Sequence, residues 1–223
     1  MTIQGLSDAR RLLDGAVLGP EEIAAALGGD PLADLTGAER LAVERIPFDT
    51  QALQAARTAG EMLVLRLPRL AGAPLTMLSL AARLSGGLDP KVHKGVGYML
   101  RDEWTIDAQP FAATDTCTPG WWLVRRAPLA TTLNRVYRAQ DDLLPTPSTG
   151  RPARRSAVEI AFDTLVWQRV RGERLLAGAW DWSRSPSNDQ GFAALGEFGP
   201  HGLGVIAYSR AVRFGTLGVC PQR

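Results

Sequence analysis

The sequence predicts an α+β fold: a mostly helical N-terminal region, then a helix followed by an antiparallel sheet. Three observations favour it. Apolar residues recur at helical spacing through much of the first 90 residues. A strongly capped helix begins near Ser156, and short strands separated by Gly-rich turns follow from Trp180 onward. Consecutive short strands with tight connections are typical of an antiparallel sheet.

The N-terminal elements are predicted from caps and apolar spacing. Ser7 is expected to cap a short helix ending at Leu13, and Pro20 suits the first turn of a helix ending at Leu27. Two more helices are expected at Thr36–Val43 and Thr50–Thr58, and a strand is expected at Glu61–Leu67. The segment Pro74–Leu84 is either helical or extended. Within the strand, Arg66 falls on the face opposite three leucines.

A Gly- and Pro-containing turn region at 85–94 predicts a soft boundary in the chain. We therefore divide it into residues 1–90, mostly helical with one strand, and residues 91–223, a Trp-rich α+β domain. In the first part of the second region we expect strands at Gly95–Ile106 and Trp121–Val124, a helix at Thr132–Leu144 and a loop at 145–152.

The clearest helix start in the chain lies at Ser156. Ser156 and Glu159 form a capping-box pattern, in which each side chain can satisfy a backbone donor of the other residue. An apolar stripe that includes Ile160, Leu165 and Val166 follows. The predicted strands of the sheet are Ala179–Ser185, Gly191–Phe198, Gly202–Ser209 and Thr216–Pro221. The last of them is expected to pair inside the sheet.

Composition excludes several classes of protein. The chain has 223 residues, 45% of them apolar, and a net charge of +2, which is ordinary for a globular protein and creates no global field that demands nucleic acid. No apolar run approaches the roughly 18 residues needed to cross a bilayer. The N-terminus lacks the layout of a secretory signal. We expect a cytoplasmic protein with no membrane partner. Nucleic acid is not an expected partner either, because no basic recognition helix follows Pro20–Leu27.

The sequence offers few groups for catalysis. Its two histidines, His93 and His201, lie in polar or turn contexts, and neither a Gly-x-Ser-x-Gly elbow nor a phosphate-binding glycine loop occurs. We assign no catalytic residue, no metal ligand and no cofactor. The two cysteines, Cys117 and Cys220, leave three alternatives open: two buried thiols, a disulfide, or a thiolate pair for a soft metal.

The six tryptophans all fall between residues 104 and 182. Trp121 and Trp167 are expected in the core, whereas Trp180 and Trp182 have polar neighbours and could present their rings to a ligand. Aromatic residues and arginine are enriched at protein interfaces. The predicted binding face comprises Trp180, Trp182, Arg184, Asn188, Asp189 and Tyr208, with Arg210 and Arg213 at its rim.

Short motifs in residues 104–223 resemble those of one fold family. Cys117-Thr-Pro-Gly-Trp121 followed by Leu123 is similar to the opening of many bacterial C-type lectin-like domains, and Trp182-Ser-Arg-Ser185 and Gly218–Arg223 are similar to their later segments. This family includes formylglycine-generating and related oxidases. It also includes non-catalytic ligand binders and the variable proteins of diversity-generating retroelements.

This resemblance implies a C-type lectin-like domain that binds a ligand through its C-terminal face. The expected function is non-enzymatic recognition of a protein or small ligand. Two alternatives stay open: a structural or accessory subunit of a larger assembly, and a copper-dependent oxidase of the same fold that uses Cys117 and Cys220. A larger complex or a homo-oligomer is compatible with each of these functions.

Overall fold

The computed structural model describes residues 4–84, 106, 109–145, 152–188 and 190–223. These residues form a mixed helix and sheet structure, which confirms the α+β class. Four earlier predictions lie wholly or largely outside the described residues: the strand Gly95–Ile106, the turn region 85–94, most of the loop 145–152, and the placement of Asp189. No helix of the described residues is long and apolar enough to cross a membrane.

Four short helices open the chain: α1 (Leu6–Leu12), α2 (Pro20–Leu27), α3 (Gly37–Glu44) and α4 (Thr50–Thr58). The predicted bounds of α2 and α4 are confirmed. Local side chains explain the starts of α3 and α4, since Thr36 and Glu39 form a reciprocal capping box and Asp49 accepts a hydrogen bond from the Ala52 amide at 2.7 Å. The predicted cap of α1 was wrong, because Gly5, not Ser7, is the N-cap residue.

The first sheet joins residues far apart in sequence. It contains β1 (Val17–Leu18), β2 (Glu61–Arg66) and β5 (Gly120–Arg125) in the order β1-β2-β5. β2 is antiparallel to β5, with Arg66 opposite Gly120. Between them come a hairpin of β3 (Arg69–Leu70) and β4 (Ala73–Pro74) and the helices α5 (Met77–Arg83) and α6 (Pro110–Ala113).

The helix predicted at Thr132–Leu144 is interrupted. A 3-10 turn covers Ala130–Thr132, and the α-helix α7 covers only Tyr137–Asp141. Asn134 between them has a φ of 55°, in the left-handed region that a right-handed helix cannot contain.

The second sheet contains β6 (Trp180–Pro186), β7 (Phe192–Gly199), β8 (Gly202–Tyr208) and β9 (Leu217–Gly218) in the order β8-β7-β6-β9. β6, β7 and β8 are antiparallel, as predicted. β9 pairs parallel to β6, which corrects the prediction of a wholly antiparallel sheet.

The predicted last strand contributes to both sheets. After β9 the chain leaves the second sheet and pairs with β5 in the first, where Leu123 and Arg223 exchange two hydrogen bonds of 3.0 Å. Arg125 donates a further hydrogen bond to the carbonyl oxygen of Pro221 at 3.1 Å. Residues 217–223 therefore connect the two sheets.

The long helix α8 (Ala157–Arg171) lies at the centre of the fold. It packs on α2, α5 and α6 and on strands of both sheets. The residues of the predicted apolar stripe, Ile160, Leu165 and Val166, are buried. Burial extends to every residue from Ala157 to Trp167, Glu159, Asp163 and Thr164 included. A single apolar core contains residues from both sides of residue 90. Three charged or polar side chains on this buried helix need internal partners.

Candidate functional site

Three residues of the predicted binding face lie in the core. Trp180, Trp182 and Tyr208 are 5%, 0% and 4% exposed, which corrects the prediction that they form a surface. The indole N–H of Trp182 donates to the carbonyl oxygen of Phe192 at 3.3 Å, and Tyr208 makes edge contacts with both tryptophan rings. All three rings are covered by other side chains, so the polar neighbours in sequence did not indicate exposure.

The remaining described residues of that prediction are exposed. Arg184, Asn188, Arg210 and Arg213 all have accessible side chains. The backbone N–H of Asn188 donates to the side chain of Gln109 at 3.0 Å. Arg184 and Arg210 come close enough to Tyr137 that both guanidinium charges act on its phenol. The structure thus brings two predicted residues together around a third that the sequence did not single out.

Four side chains form a layered stack beside that tyrosine. The guanidinium carbon of Arg210 lies 4.7 Å from the centre of the Phe192 ring. The Phe192 and Tyr137 rings stack at 4.5 Å, and the guanidinium carbon of Arg154 lies 4.0 Å from the centre of the Tyr137 ring. Each outer contact is a cation–π interaction. We call Tyr137, Arg154, Arg184, Phe192 and Arg210 the Tyr137 face. Tyr137 and Arg154 are largely buried, at 8% and 4% exposure, so Arg184, Arg210 and the half-buried Phe192 supply its accessible part.

Arg154 is held in place from several directions. Its Nε and Nη2 donate to Asp141 Oδ1 at 2.9 and 2.8 Å, and its Nη1 donates to the carbonyl oxygen of Trp182 at 2.7 Å. The Tyr137 hydroxyl donates to the carbonyl oxygen of Ser183 at 3.1 Å. Burial raises the pKa of Tyr137 to about 12. The Tyr137 and Arg154 layers of the stack are therefore held in place before any ligand binds.

A cavity of about 400 Å³ opens beside the stack. Its lining includes Tyr137, Asp141, Arg154 and Arg184, together with Leu144, Pro145, Pro152 and Ala153. Among its described lining residues two are arginines and one is an aspartate, so these residues carry a net positive charge. Sequence reasoning missed Tyr137 and Arg154 as site residues. The available signal was the arginine-rich stretch at 125–155, which did not reveal which guanidinium groups would meet an aromatic ring.

A buried cluster of charges lies beneath this face. Arg66 binds Asp163 through Nε at 2.9 Å and through Nη2 at 2.5 Å. Arg155 donates from Nη1 to the same Asp163 at 2.6 Å and from Nη2 to Asp181 at 2.6 Å, and so links the two carboxylates. All four side chains are at most 2% exposed. Each charge is compensated by an opposite charge within hydrogen-bonding distance, as charges inside a protein require.

Glu159 connects the buried cluster to the surface. Its Oε2 accepts the Ser156 amide at 2.8 Å and lies 3.5 Å from Nη2 of Arg184, whose side chain is 40% exposed. Its Oε1 lies 3.7 Å from Nη1 of Arg66 and has no hydrogen-bond partner among the described residues. Burial opposes ionisation of Glu159, but the charge of Arg66 and the Ser156 hydrogen bond outweigh it and lower the pKa. Arg184 supplies the cation that balances the third carboxylate.

The two cysteines lie at different parts of this cluster. Both are buried free thiols. The charge of Arg66 acts on Cys117, whereas the backbone N–H of Cys220 donates to Asp181 Oδ1 at 2.8 Å. Burial raises the pKa of both thiols well above the ordinary value. The thiolate is the form that binds metals and attacks electrophiles. Among the described residues, no group of three or more His, Cys, Asp or Glu side chains could hold a metal ion.

The sequence matches no known protein-family model, and neither characterised proteins nor solved structures include a significant match to this chain.

Proposed function

We propose that this chain is a non-enzymatic recognition module that binds an acidic segment of a partner protein through the Tyr137 face. Its C-terminal half would have a C-type lectin-like fold. In support of that fold, the capped helix α8 precedes Gly-containing antiparallel strands, in the order that the motif resemblance implies.

The observation that carries the functional proposal is the Arg210–Phe192–Tyr137–Arg154 stack. Arginine and tyrosine are the residue types that most often dominate binding energy at interfaces. Here packing and hydrogen bonds fix the side chains of Tyr137 and Arg154 before binding, so these two would lose little conformational entropy on association. The cavity beside the stack offers room for a partner side chain.

Charge decides the chemistry of the partner. Arg154, Arg184 and Arg210 surround Tyr137. Asp141 pairs with Arg154 and the buried Glu159 pairs with Arg184, whereas Arg210 forms no ion pair among the described residues. Carboxylates form two parallel hydrogen bonds with guanidinium groups, which gives geometric specificity as well as energy. An acidic peptide therefore fits this face better than a basic or neutral one.

The test is binding of a fluorescein-labelled octaglutamate peptide to the full chain, followed by fluorescence anisotropy. The double variant R210Q/R213Q removes the outer layer of the stack and the adjacent exposed arginine without touching the buried charges. We expect it to weaken binding about tenfold, which corresponds to about 1.4 kcal/mol.

The matched control is R11Q/R57Q, which removes the same charge from two exposed arginines of α1 and α4. We expect its affinity to stay close to that of the unmodified protein. Equal losses in both double variants would show that only net charge matters, and no binding by the unmodified chain would refute the proposal outright. Octaglutamine, which is neutral, and octalysine, which is positively charged, are both expected to bind more weakly than octaglutamate.

A further inference from the structure

A second pocket lies away from the Tyr137 face, at the other end of α8. It has a volume of about 310 Å³ and is formed by the end of α5, the C-terminal half of α8 and the turn between β7 and β8. None of its lining residues belongs to the Tyr137 face. Its size lies at the lower end of the range for small-molecule sites.

The floor of this pocket is apolar. Leu84, Leu165 and Phe198 line it and are 9%, 2% and 4% exposed. They belong to the main apolar core, so their positions are fixed by packing on every other side. An apolar group that covered this floor would remove further hydrocarbon surface from water.

The rim of the pocket is basic. Arg83, Arg169 and Arg174 line it, and among the described residues no aspartate or glutamate does. Arg83 is oriented by a hydrogen bond from its Nη2 to the carbonyl oxygen of Leu70 at 3.1 Å. Within the part of the chain that the structure describes, none of the three guanidinium groups forms an ion pair. Three like charges around one concavity produce a positive potential that attracts an anion.

We propose that this pocket binds a small amphipathic anion, in which a carboxylate or phosphate is attached to an aryl or alkyl group. The anionic group would pair with the arginines of the rim, and the hydrocarbon would cover Leu84, Leu165 and Phe198. Guanidinium groups bind both carboxylate and phosphate in bidentate geometry, so these two groups share the recognition chemistry. Gln168, which also lines the pocket, adds a hydrogen-bonding side chain.

A structural role for the arginines makes a different prediction. Arg83 and Arg169 lie in the last turns of α5 and α8, where a cation stabilises the negative end of the helix dipole. That role accounts neither for Arg174, which follows α8, nor for the apolar floor. It predicts a loss of stability on substitution, whereas the proposed site predicts a loss of binding.

Isothermal titration calorimetry of the full chain with phenyl phosphate tests the proposal. We expect the variant R169Q/R174Q to bind at least about tenfold more weakly, because two of the three rim cations are lost, while R210Q/R213Q binds as the unmodified protein does. A thermal denaturation curve of each variant shows whether it is folded. The variant R210Q/R213Q also distinguishes the two proposals, since it changes the Tyr137 face and leaves this pocket unchanged.

The ligand series defines the chemistry. Benzoate and phenyl phosphate distinguish the carboxylate from the phosphate, and binding of either supports the site. Benzyl alcohol lacks the charge and inorganic phosphate lacks the ring, so each is expected to bind more weakly than phenyl phosphate. The proposal is overturned if neither anion binds, if inorganic phosphate binds as tightly as phenyl phosphate, or if both arginine pairs cause the same loss.

Discussion

Arg66 and Asp163 form a bidentate ion pair inside the protein, between the last residue of β2 and the middle of α8. They are 97 positions apart in sequence, and both side chains are fully buried. The pair fixes the helix against the first sheet, while Arg155 ties the same Asp163 to Asp181 in the second sheet. The position of α8 relative to both sheets thus depends on the charge of Asp163.

Replacing Asp163 with Asn is expected to destabilise the protein by about 3–5 kcal/mol, because two buried guanidinium groups lose a compensating charge. The free energy of unfolding from urea titrations measures this. Arg57→Ala is the comparison, since it breaks an exposed pair with Asp14 and exposed pairs contribute little. Losses of the same size in the two variants would contradict a stabilising role for the cluster.

Two carboxylates of the cluster should respond to acid in opposite senses. The pKa of Glu159 is lowered, so its contribution to stability is complete above its ordinary pKa of 4.5 and is lost as the pH falls through the lower folded value. Burial raises the pKa of Asp181 above 3.8 despite Arg155, so its protonation favours the folded state. Glu159→Gln is expected to flatten the acid-induced loss of stability, and Asp181→Asn to steepen it.

Urea titrations between about pH 3 and pH 7 give the free energy of unfolding at each pH, and its slope against pH is compared between each variant and the unmodified protein. Asp8→Asn, a change at an exposed carboxylate of α1, serves as the control. If Glu159→Gln and Asp181→Asn shift the slope in the same direction, the assigned environments are wrong.

The Tyr137 hydroxyl is expected to lose its proton at a higher pH than an ordinary tyrosine does. Burial raises its pKa from 10 to about 12, so the folded state loses stability as the pH rises through this interval. Subtracting the ultraviolet titration of Tyr137→Phe from that of the unmodified protein should leave one phenol with a midpoint of about 12. A midpoint near the ordinary value would mean that the Tyr137 hydroxyl is not buried as described.

Gly196 is expected to tolerate no side chain. A Cβ there would collide with the carbonyl oxygen of Ala179 and lie 2.7 Å from the Cα of Trp180. Since both obstacles are backbone atoms at the start of the neighbouring strand β6, Gly196→Ala should cost about 3 kcal/mol or more. At Gly215 a Cβ meets nothing within 4 Å, so Gly215→Ala is the control. Thermal denaturation midpoints compare the two, and a tolerated Gly196→Ala would refute the close approach.

Sequence reasoning succeeded where a structure depends on adjacent residues. The starts of α2 and α8 follow from Pro20 and Ser156, whose effects extend over one helical turn. The bounds of α4 were predicted as well, and the structure adds Asp49 as the cap that explains its start. It failed where the deciding partner lies elsewhere in the chain. Arg66 gave no sign of burial because its partner Asp163 follows 97 positions later.

The predictions for the candidate site also succeeded for some residues and failed for others. Arg184 and Arg210 were predicted and are exposed, whereas Trp180, Trp182 and Tyr208 were predicted on the surface and are buried. A tryptophan with polar neighbours in sequence can lie on either side of a strand. The choice depends on which face the rest of the fold covers, and here the rings of Tyr137 and Phe214 pack on Trp182 and Tyr208.

The connection of both sheets by residues 217–223 has a kinetic consequence. The side chain of Gln222 bonds to Arg66 across 156 positions, and Arg223 bonds to Glu61 across 162. Contacts between such distant residues require the closure of long loops, which slows folding. We therefore expect refolding on the millisecond-to-second scale, with the pairing of these residues among the late steps. Until that segment docks, the edge of β5 and one side of the buried charges stay open to water.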